Sequence, residues 1–363
     1  MAFVDHRFQT RRRSLADALA TSHYDAMLIT HLPNVYYMSG FTGSNAAMLI
    51  SNDGRAAIAT DGRYTTQIAA EVPDLAATIE RNAAAGVLAH AHGPARVAVE
   101  AAHLSLAAFE RLKELAPDDV TLIPATEFIE PLRVIKDPQE LDALREVAEI
   151  GNKAWASLLD DGCIQAGVTE RHVAAELEYR MRELGSERES FDTIVAAGAN
   201  SAMPHHGADD TVIKQGDLVT VDFGAYLAGY NSDMTRTVVV GSASGFAEEI
   251  YEIVLKSQIA GIAAATAGTP LVDVDKACRD IIDEAGYGEY FVHSTGHGVG
   301  LDVHEAPAAA TRGTGVLREG MTLTIEPGIY VPGQGGVRIE DTLIITTAGP
   351  ELITRGNKDL TVV

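Results

Sequence analysis

Cysteine is nearly absent from this chain. Cys163 and Cys278 are the only two in 363 residues, and they sit in unrelated settings. Disulfide-built scaffolds are dense in cysteine, so that class is excluded and the usage fits a reducing, cytoplasmic compartment. Long apolar runs are missing too. No stretch approaches about 18 consecutive apolar residues, so no membrane span is expected. Arg11-Arg12-Arg13 ahead of Ser14-Leu15-Ala16 is how an export signal could begin, but Asp17 interrupts the apolar segment and His23, Tyr24 and Asp25 follow soon after; export is not expected. Basic charge is scarce: 28 Lys and Arg stand against 51 Asp and Glu, a net charge of −23. That balance argues against nucleic acid and anionic membranes as partners. There is no phosphate-binding loop and no dinucleotide fingerprint. Gly241-Ser-Ala-Ser-Gly245 carries alanine where a serine hydrolase elbow needs its nucleophile.

What is present is a chain with 46% hydrophobic residues, long enough for two domains and a large core. In the first third, short apolar runs at Ala26–Thr30, Ala46–Ile50, Ala56–Thr60, Ala77–Glu80, Val97–Glu100 and Thr121–Ile123 read as strands. Amphipathic stretches such as Gln9–Ala20 and Leu104–Leu115 lie between some of them. This alternation describes a small α/β domain. A boundary falls within residues 124–136, dividing the chain into 1–130 and 131–363. Asp137-Pro138-Gln139-Glu140 then starts a helix, with Asp as N-cap, Pro at the first helical position and Glu placed to close a capping box. A second helix starts at Thr169 and ends before Gly185, with Leu177, Met181 and Leu184 as its apolar stripe. Helices at Phe246–Ala265 and Val272–Ala285, with strands at Thr193–Ala197, Leu218–Phe223, Thr235–Val240, Met321–Ile325 and Val337–Thr346, make the second domain α+β.

Five residues of that second domain read as one metal site: Asp222, Asp233, His297, Glu326 and Glu340. Asp222 ends an apolar run and Asp233 precedes another. A hairpin pairing 222 with 233 would project both side chains from one face. His293 and His297 have the spacing of a helical zinc motif, but Gly296, Gly298 and Gly300 disfavour a helix, so a loop or strand bringing His297 in from the side is expected. Glu326 and Glu340 each follow a buried-type isoleucine, and the turn Pro332-Gly-Gln-Gly-Gly336 can fold one segment back on the other. Four carboxylates packed together repel, and burial penalises each further, unless cations sit among them. Oxygen-dominated ligation with one nitrogen suits two Mn²⁺ ions, with Co²⁺ or Zn²⁺ able to substitute. Two such ions about 3.5–4 Å apart share a water, lower its pKa to about 7 and polarise a carbonyl, which implies hydrolysis of an amide.

With these residues in view, the second domain, from about residue 137 onward, resembles the pita-bread metallopeptidases, the family of methionine aminopeptidase, aminopeptidase P and prolidase. The ligand order Asp, Asp, His, Glu, Glu is complete. The first domain resembles that of aminopeptidase P, prolidase and creatinase, particularly at Asn34-Val35-Tyr36-Tyr37-Met38-Ser39-Gly40-Phe41. Methionine aminopeptidases usually lack it. The resemblance implies further roles. His205, adjoined by His206, matches a histidine near the scissile bond, and His304 matches one that steadies the intermediate. His293 and Arg338 match the proline side of the pocket, Glu326 also shuttles the proton of the attacking water, and Tyr226 lines the pocket. It implies a homodimer acting on proline-containing peptides. Two versions stand open, an aminopeptidase releasing the first residue before proline and a dipeptidase restricted to Xaa-Pro; Gly40-Phe41-Thr42-Gly43-Ser44 leans toward the former. Metal-free creatinase and non-catalytic binding proteins share the fold but lose ligands, which counts against both here.

Overall fold

The computed structural model describes residues 6–91 and 93–363. Two compact units are present, one ending at Leu132 and the other spanning Arg133–Val363.

In the first unit each of the six apolar runs is a strand. They form one mixed sheet in the order 77–79, 56–60, 46–51, 26–29, 95–100, 120–125. The three strands 26–29, 95–100 and 120–125 run parallel, while 46–51 is antiparallel to both its neighbours. Leu28, Val97 and Val99 are buried between the sheet and its helices, as fully covered strands require. Arg11 and Arg12 lie on the helix His6–Ala20. They donate to the carbonyls of Tyr37 and Met38, and Arg12 also pairs with Asp74. The arginine run is therefore part of the packing of this unit. Asn34 to Ser39 form most of the helix Leu32–Ser39, which ends on Gly40 in the left-handed region (φ 79°).

In the second unit the helix Pro138–Asp160 starts with the full capping box between Asp137 and Glu140. The helix Glu170–Glu183 is capped by Thr169. Leu177 and Met181 are buried, but Leu184 is 42% exposed; it is the C-cap residue, beyond the last full turn, and so falls off the apolar stripe. The strands Ile194–Ala197, Leu218–Phe223 and Met234–Val239 pair antiparallel. Helices Gly245–Ala264 and Leu271–Glu284 pack against the strand system of the last hundred residues, around Leu323, Ile325, Leu343 and Ile345, all with no exposed surface. Each such side chain contributes about 1.5–3 kcal/mol. Among the described residues no helix is long and apolar enough to cross a membrane.

One strand expectation is corrected. Residues 337–346 are two strands, Gly335–Arg338 and Asp341–Thr346, broken at Ile339-Glu340. Opposite lies a matching break at Glu326-Pro327, between Thr322–Ile325 and Gly328–Val331. The registers Ile325↔Asp341 and Gly328↔Arg338 flank it. Proline has no N–H to give the ladder, so pairing must lapse there. The freed amides find other partners: Glu326 N donates to Thr295 O (2.8 Å) and Glu340 N to Thr235 O (3.1 Å). The two acids thus sit where their backbones turn away from each other and toward neighbouring elements.

Candidate metal centre

The first two carboxylates come from the hairpin of Leu218–Phe223 and Met234–Val239. Its register pairs Asp222 with Thr235, not with Asp233 as the sequence suggested. Asp233 lies two residues before Thr235, so strand alternation still turns both toward one face. The hairpin closes tightly because residue 224 is glycine; a Cβ there would overlap the Ser232 carbonyl oxygen. His297 arrives on a separate short strand, Gly296–Gly298, whose first glycine passes just as closely over Thr324 O.

The five residues converge. His297 Nε2 is 3.2 Å from Glu326 Oε1 and 3.6 Å from Asp233 Oδ2. Ligand atoms of Asp233, His297 and Glu340 lie within 4.8 Å of one another. Glu340 accepts a hydrogen bond from Thr235 Oγ1 at 2.7 Å. Asp222 Oδ2 accepts from Arg338 Nη2 at 2.7 Å, while Asp222 Oδ1 is buried with no hydrogen-bond partner. An orphaned buried carboxylate oxygen is rare and calls for an ion or water. His297 Nδ1 donates to Gly298 O at 3.1 Å, a bond that turns Nε2 toward the carboxylates as a ligand nitrogen must be turned.

Electrostatics agree. Burial, then the charge of Asp222, pushes Asp233 well above the carboxylate range. Burial, then the charges of Asp233, Glu326 and Asp222, does the same to Glu340. Burial also opposes ionisation of Glu326, but the hydrogen bond and charge of His297 outweigh it and hold Glu326 at about 2. Reciprocally, burial works against the His297 imidazolium, yet Glu326 and Asp233 raise His297 to about 9. The pocket demands positive charge, and one imidazolium and the Arg338 guanidinium among four acids meet only part of the demand. Divalent cations fit this donor set and would take the place of that proton.

These groups line a cavity of about 530 Å³ together with His205, His293, His304 and Arg338. Burial, and then the charge of His297 beside it, lowers His304; the two rings stand edge to face with centroids 4.4 Å apart. His293 is likewise lowered, chiefly by burial, and both its nitrogens are engaged: Nδ1 donates to Ser294 O and Nε2 accepts from Tyr330 Oη, each at 2.8 Å. Tyr330 Oη in turn accepts from Arg338 Nη1 at 2.8 Å. Arg338 also donates to Thr235 Oγ1 and Asp222, so its guanidinium braces the site from behind.

Of the adjoining histidines, His205 lines the cavity and His206 turns to Glu170, its Nε2 2.7 Å from Oε2. Tyr226 is not in the cavity lining. Beyond Gly224 the chain enters a different small sheet with Arg188–Glu189 and Tyr230–Asn231, where the Arg188 guanidinium covers the Tyr226 ring at 3.7 Å. Phe191, Asp192 and Ile194 also line the cavity. Sequence reasoning missed them; the only signal was their place at, or just before, the start of the strand Ile194–Ala197. A second group, Glu170, His206 and Asp209, also has metal-like spacing. There the Glu170 carboxylate already accepts from four nitrogens, Ala197 N, Asn200 Nδ2, His206 Nε2 and Asp209 N, which fills its lone-pair directions.

A carboxylate-rich, imidazole-bearing pocket on this fold defines a metallopeptidase. The model of metallopeptidase family M24 matches residues 142–347, and that of the Creatinase/Prolidase N-terminal domain matches residues 11–135. The chain belongs to metallopeptidase family M24. An Xaa-Pro dipeptidase of Pyrococcus horikoshii is 39% identical over 350 residues, 96% of this chain and 97% of its own length. Among solved structures, an Xaa-Pro dipeptidase from Bacillus anthracis superimposes with a TM-score of 0.93 at 40% identity, covering 98% of this chain and all of that one. An X-Pro aminopeptidase from Thermotoga maritima gives 0.87 at 36% identity, covering 97% and 99%.

Proposed function

We propose that this chain hydrolyses the Xaa-Pro bond of dipeptides, with Asp222, Asp233, His297, Glu326 and Glu340 holding two divalent cations, Mn²⁺ by preference. The observation that carries the reading is the convergence of these five side chains on one small cavity whose buried acids demand positive charge. The names of the relatives support the dipeptide substrate. When bound, the cations lower the pKa of a water to about 7 and polarise the scissile carbonyl.

The protein groups do the rest. Glu326, kept ionised, takes the proton from the attacking water and delivers it to the departing proline nitrogen. His304, edge to face with His297, and His205 hydrogen-bond the carbonyl oxygen as charge develops on it. His293, fixed by Tyr330 and Ser294, walls the side that receives the proline ring. Proline lacks an amide hydrogen and fixes φ, so a pocket gripping ring and carbonyl selects a bond that a peptidase gripping the N–H would pass over.

Release of the first residue from longer peptides is the second reading, favoured by the likeness to the Thermotoga maritima X-Pro aminopeptidase and by the Gly40–Ser44 motif. Turnover of Ala-Pro and Ala-Pro-Ala separates them. The dipeptidase reading expects Ala-Pro to be cleaved and Ala-Pro-Ala to be spared; efficient cleavage of the tripeptide overturns it in favour of the aminopeptidase.

A further inference from the structure

We propose that Glu170 is a positioning residue that acts through His205, by clamping the segment that carries it. The inference rests on the peptidase reading for its catalytic consequence and on geometry alone for the clamp.

Glu170 opens the helix Glu170–Glu183 and has no exposed surface. Among the described residues no Lys or Arg pairs with this carboxylate, a burial that would be costly unless its hydrogen bonds were complete. They are complete, and all four go to one stretch of chain. Oε1 accepts from Ala197 N at 2.7 Å and Asn200 Nδ2 at 3.0 Å; Oε2 accepts from His206 Nε2 at 2.7 Å and Asp209 N at 3.3 Å. The backbone of the same helix start adds Glu170 N to Thr211 O and Arg171 N to Asp209 O. The segment between residues 197 and 209 is thus gathered onto a single buried side chain.

On its other side this segment is tied to the metal centre. Ser201 Oγ accepts from Gly336 N at 2.8 Å, and Pro204 O accepts from Arg338 Nη1 at 3.3 Å. His205 sits between the two anchorages, next to the Arg338 contact on one side and the Glu170 contact on the other, with its own ring in the cavity lining. His206 accordingly serves as the peg of the clamp. The paired histidines divide the labour: one fixes the chain, and its neighbour faces the substrate.

Glu170→Gln keeps the shape and turns an acceptor into an NH₂ that must confront N–H donors. The test uses full-length, metal-loaded protein and two readouts. Amide hydrogen exchange across residues 198–209 is expected to quicken roughly tenfold or more while the rest of the second unit is unchanged. Turnover of Ala-Pro is expected to fall about ten- to a hundredfold, in kcat more than in KM. In a His205→Ala background the same substitution is expected to cost no more than about twofold. His206→Leu removes one of the four donors and is expected to show the same pattern at smaller amplitude; it carries the test if Glu170→Gln does not fold. Unchanged exchange overturns the clamp. Equal losses with and without His205 overturn action through that residue. Loss of one bound cation on Glu170→Gln makes the cluster a metal site instead. Wild-type protein inert toward every Xaa-Pro substrate would sink the peptidase reading, and the exchange measurement would still decide the clamp.

Discussion

Asp341→Asn is the substitution whose cost the structure specifies best. Asp341 follows Glu340 directly and has no exposed surface. Its carboxylate accepts from Arg236 Nη2 at 2.7 Å, Gln258 Nε2 and Lys358 Nζ at 2.9 Å, and Thr354 Oγ1 at 3.0 Å. Asparagine keeps the volume but removes the charge and presents an NH₂ to donors. Lys358 can turn toward water, since its side chain is 23% exposed; Arg236, at 2%, cannot. An uncompensated buried charge costs about 3–5 kcal/mol. At 2–4 °C per kcal/mol for a unit of this size, the melting temperature should fall by about 6–20 °C. Denaturant unfolding of the metal-loaded protein should show a lower midpoint at unchanged slope. Because Asp341 fixes the backbone beside Glu340, cation affinity should fall with it. A loss below about 1 kcal/mol would refute the reasoning, since an isolated exposed pair could account for that much.

Acid should unfold the protein by the same groups. The folded pKa of Asp341 is lowered, burial being outweighed by Arg236 and Lys358, and that of Glu305 is lowered, burial being outweighed by Lys136 and Arg133. A depressed carboxylate contributes stability above its unfolded pKa of about 4 and loses it as pH falls through the folded value. Stability followed by circular dichroism should therefore be held by these two groups down to about pH 5 and fall steeply below about pH 4; a curve flat to pH 2 would contradict this. Gly224→Ala should force the Asp222 and Asp233 strands apart, costing about 1–3 kcal/mol and lowering cation affinity measured by calorimetry; unaltered affinity would show that the close approach is dispensable.

Much of this architecture is legible in the residues themselves, and the exceptions share a cause. The six strands of the first unit, the Asp137 cap and the five-residue cluster are local patterns: apolar runs, a capping dyad, acids set directly behind buried-type residues. What escaped depends on partners distant in the chain. The break at Ile339-Glu340 follows from Pro327 across the ladder, and nothing within residues 337–346 announces it. The pairing of Asp222 with Thr235 reflects a two-residue offset that no count of turn residues sets. Tyr226 sits on Arg188 because the chain changes sheets after Gly224. The division between His205 and His206 is decided by Glu170, more than thirty residues earlier, and the engagement of both His293 nitrogens by Tyr330 and a backbone carbonyl.

Cation stoichiometry, read alongside turnover, bears hardest on the whole account. Purified wild-type protein should bind two equivalents of divalent cation per chain, lose Ala-Pro hydrolysis to a chelator and regain it with Mn²⁺. Asp233→Ala should keep its fold, bind fewer equivalents and hydrolyse nothing. Undiminished turnover in chelator, or Asp233→Ala with two equivalents and wild-type activity, would contradict the assignment of these five residues.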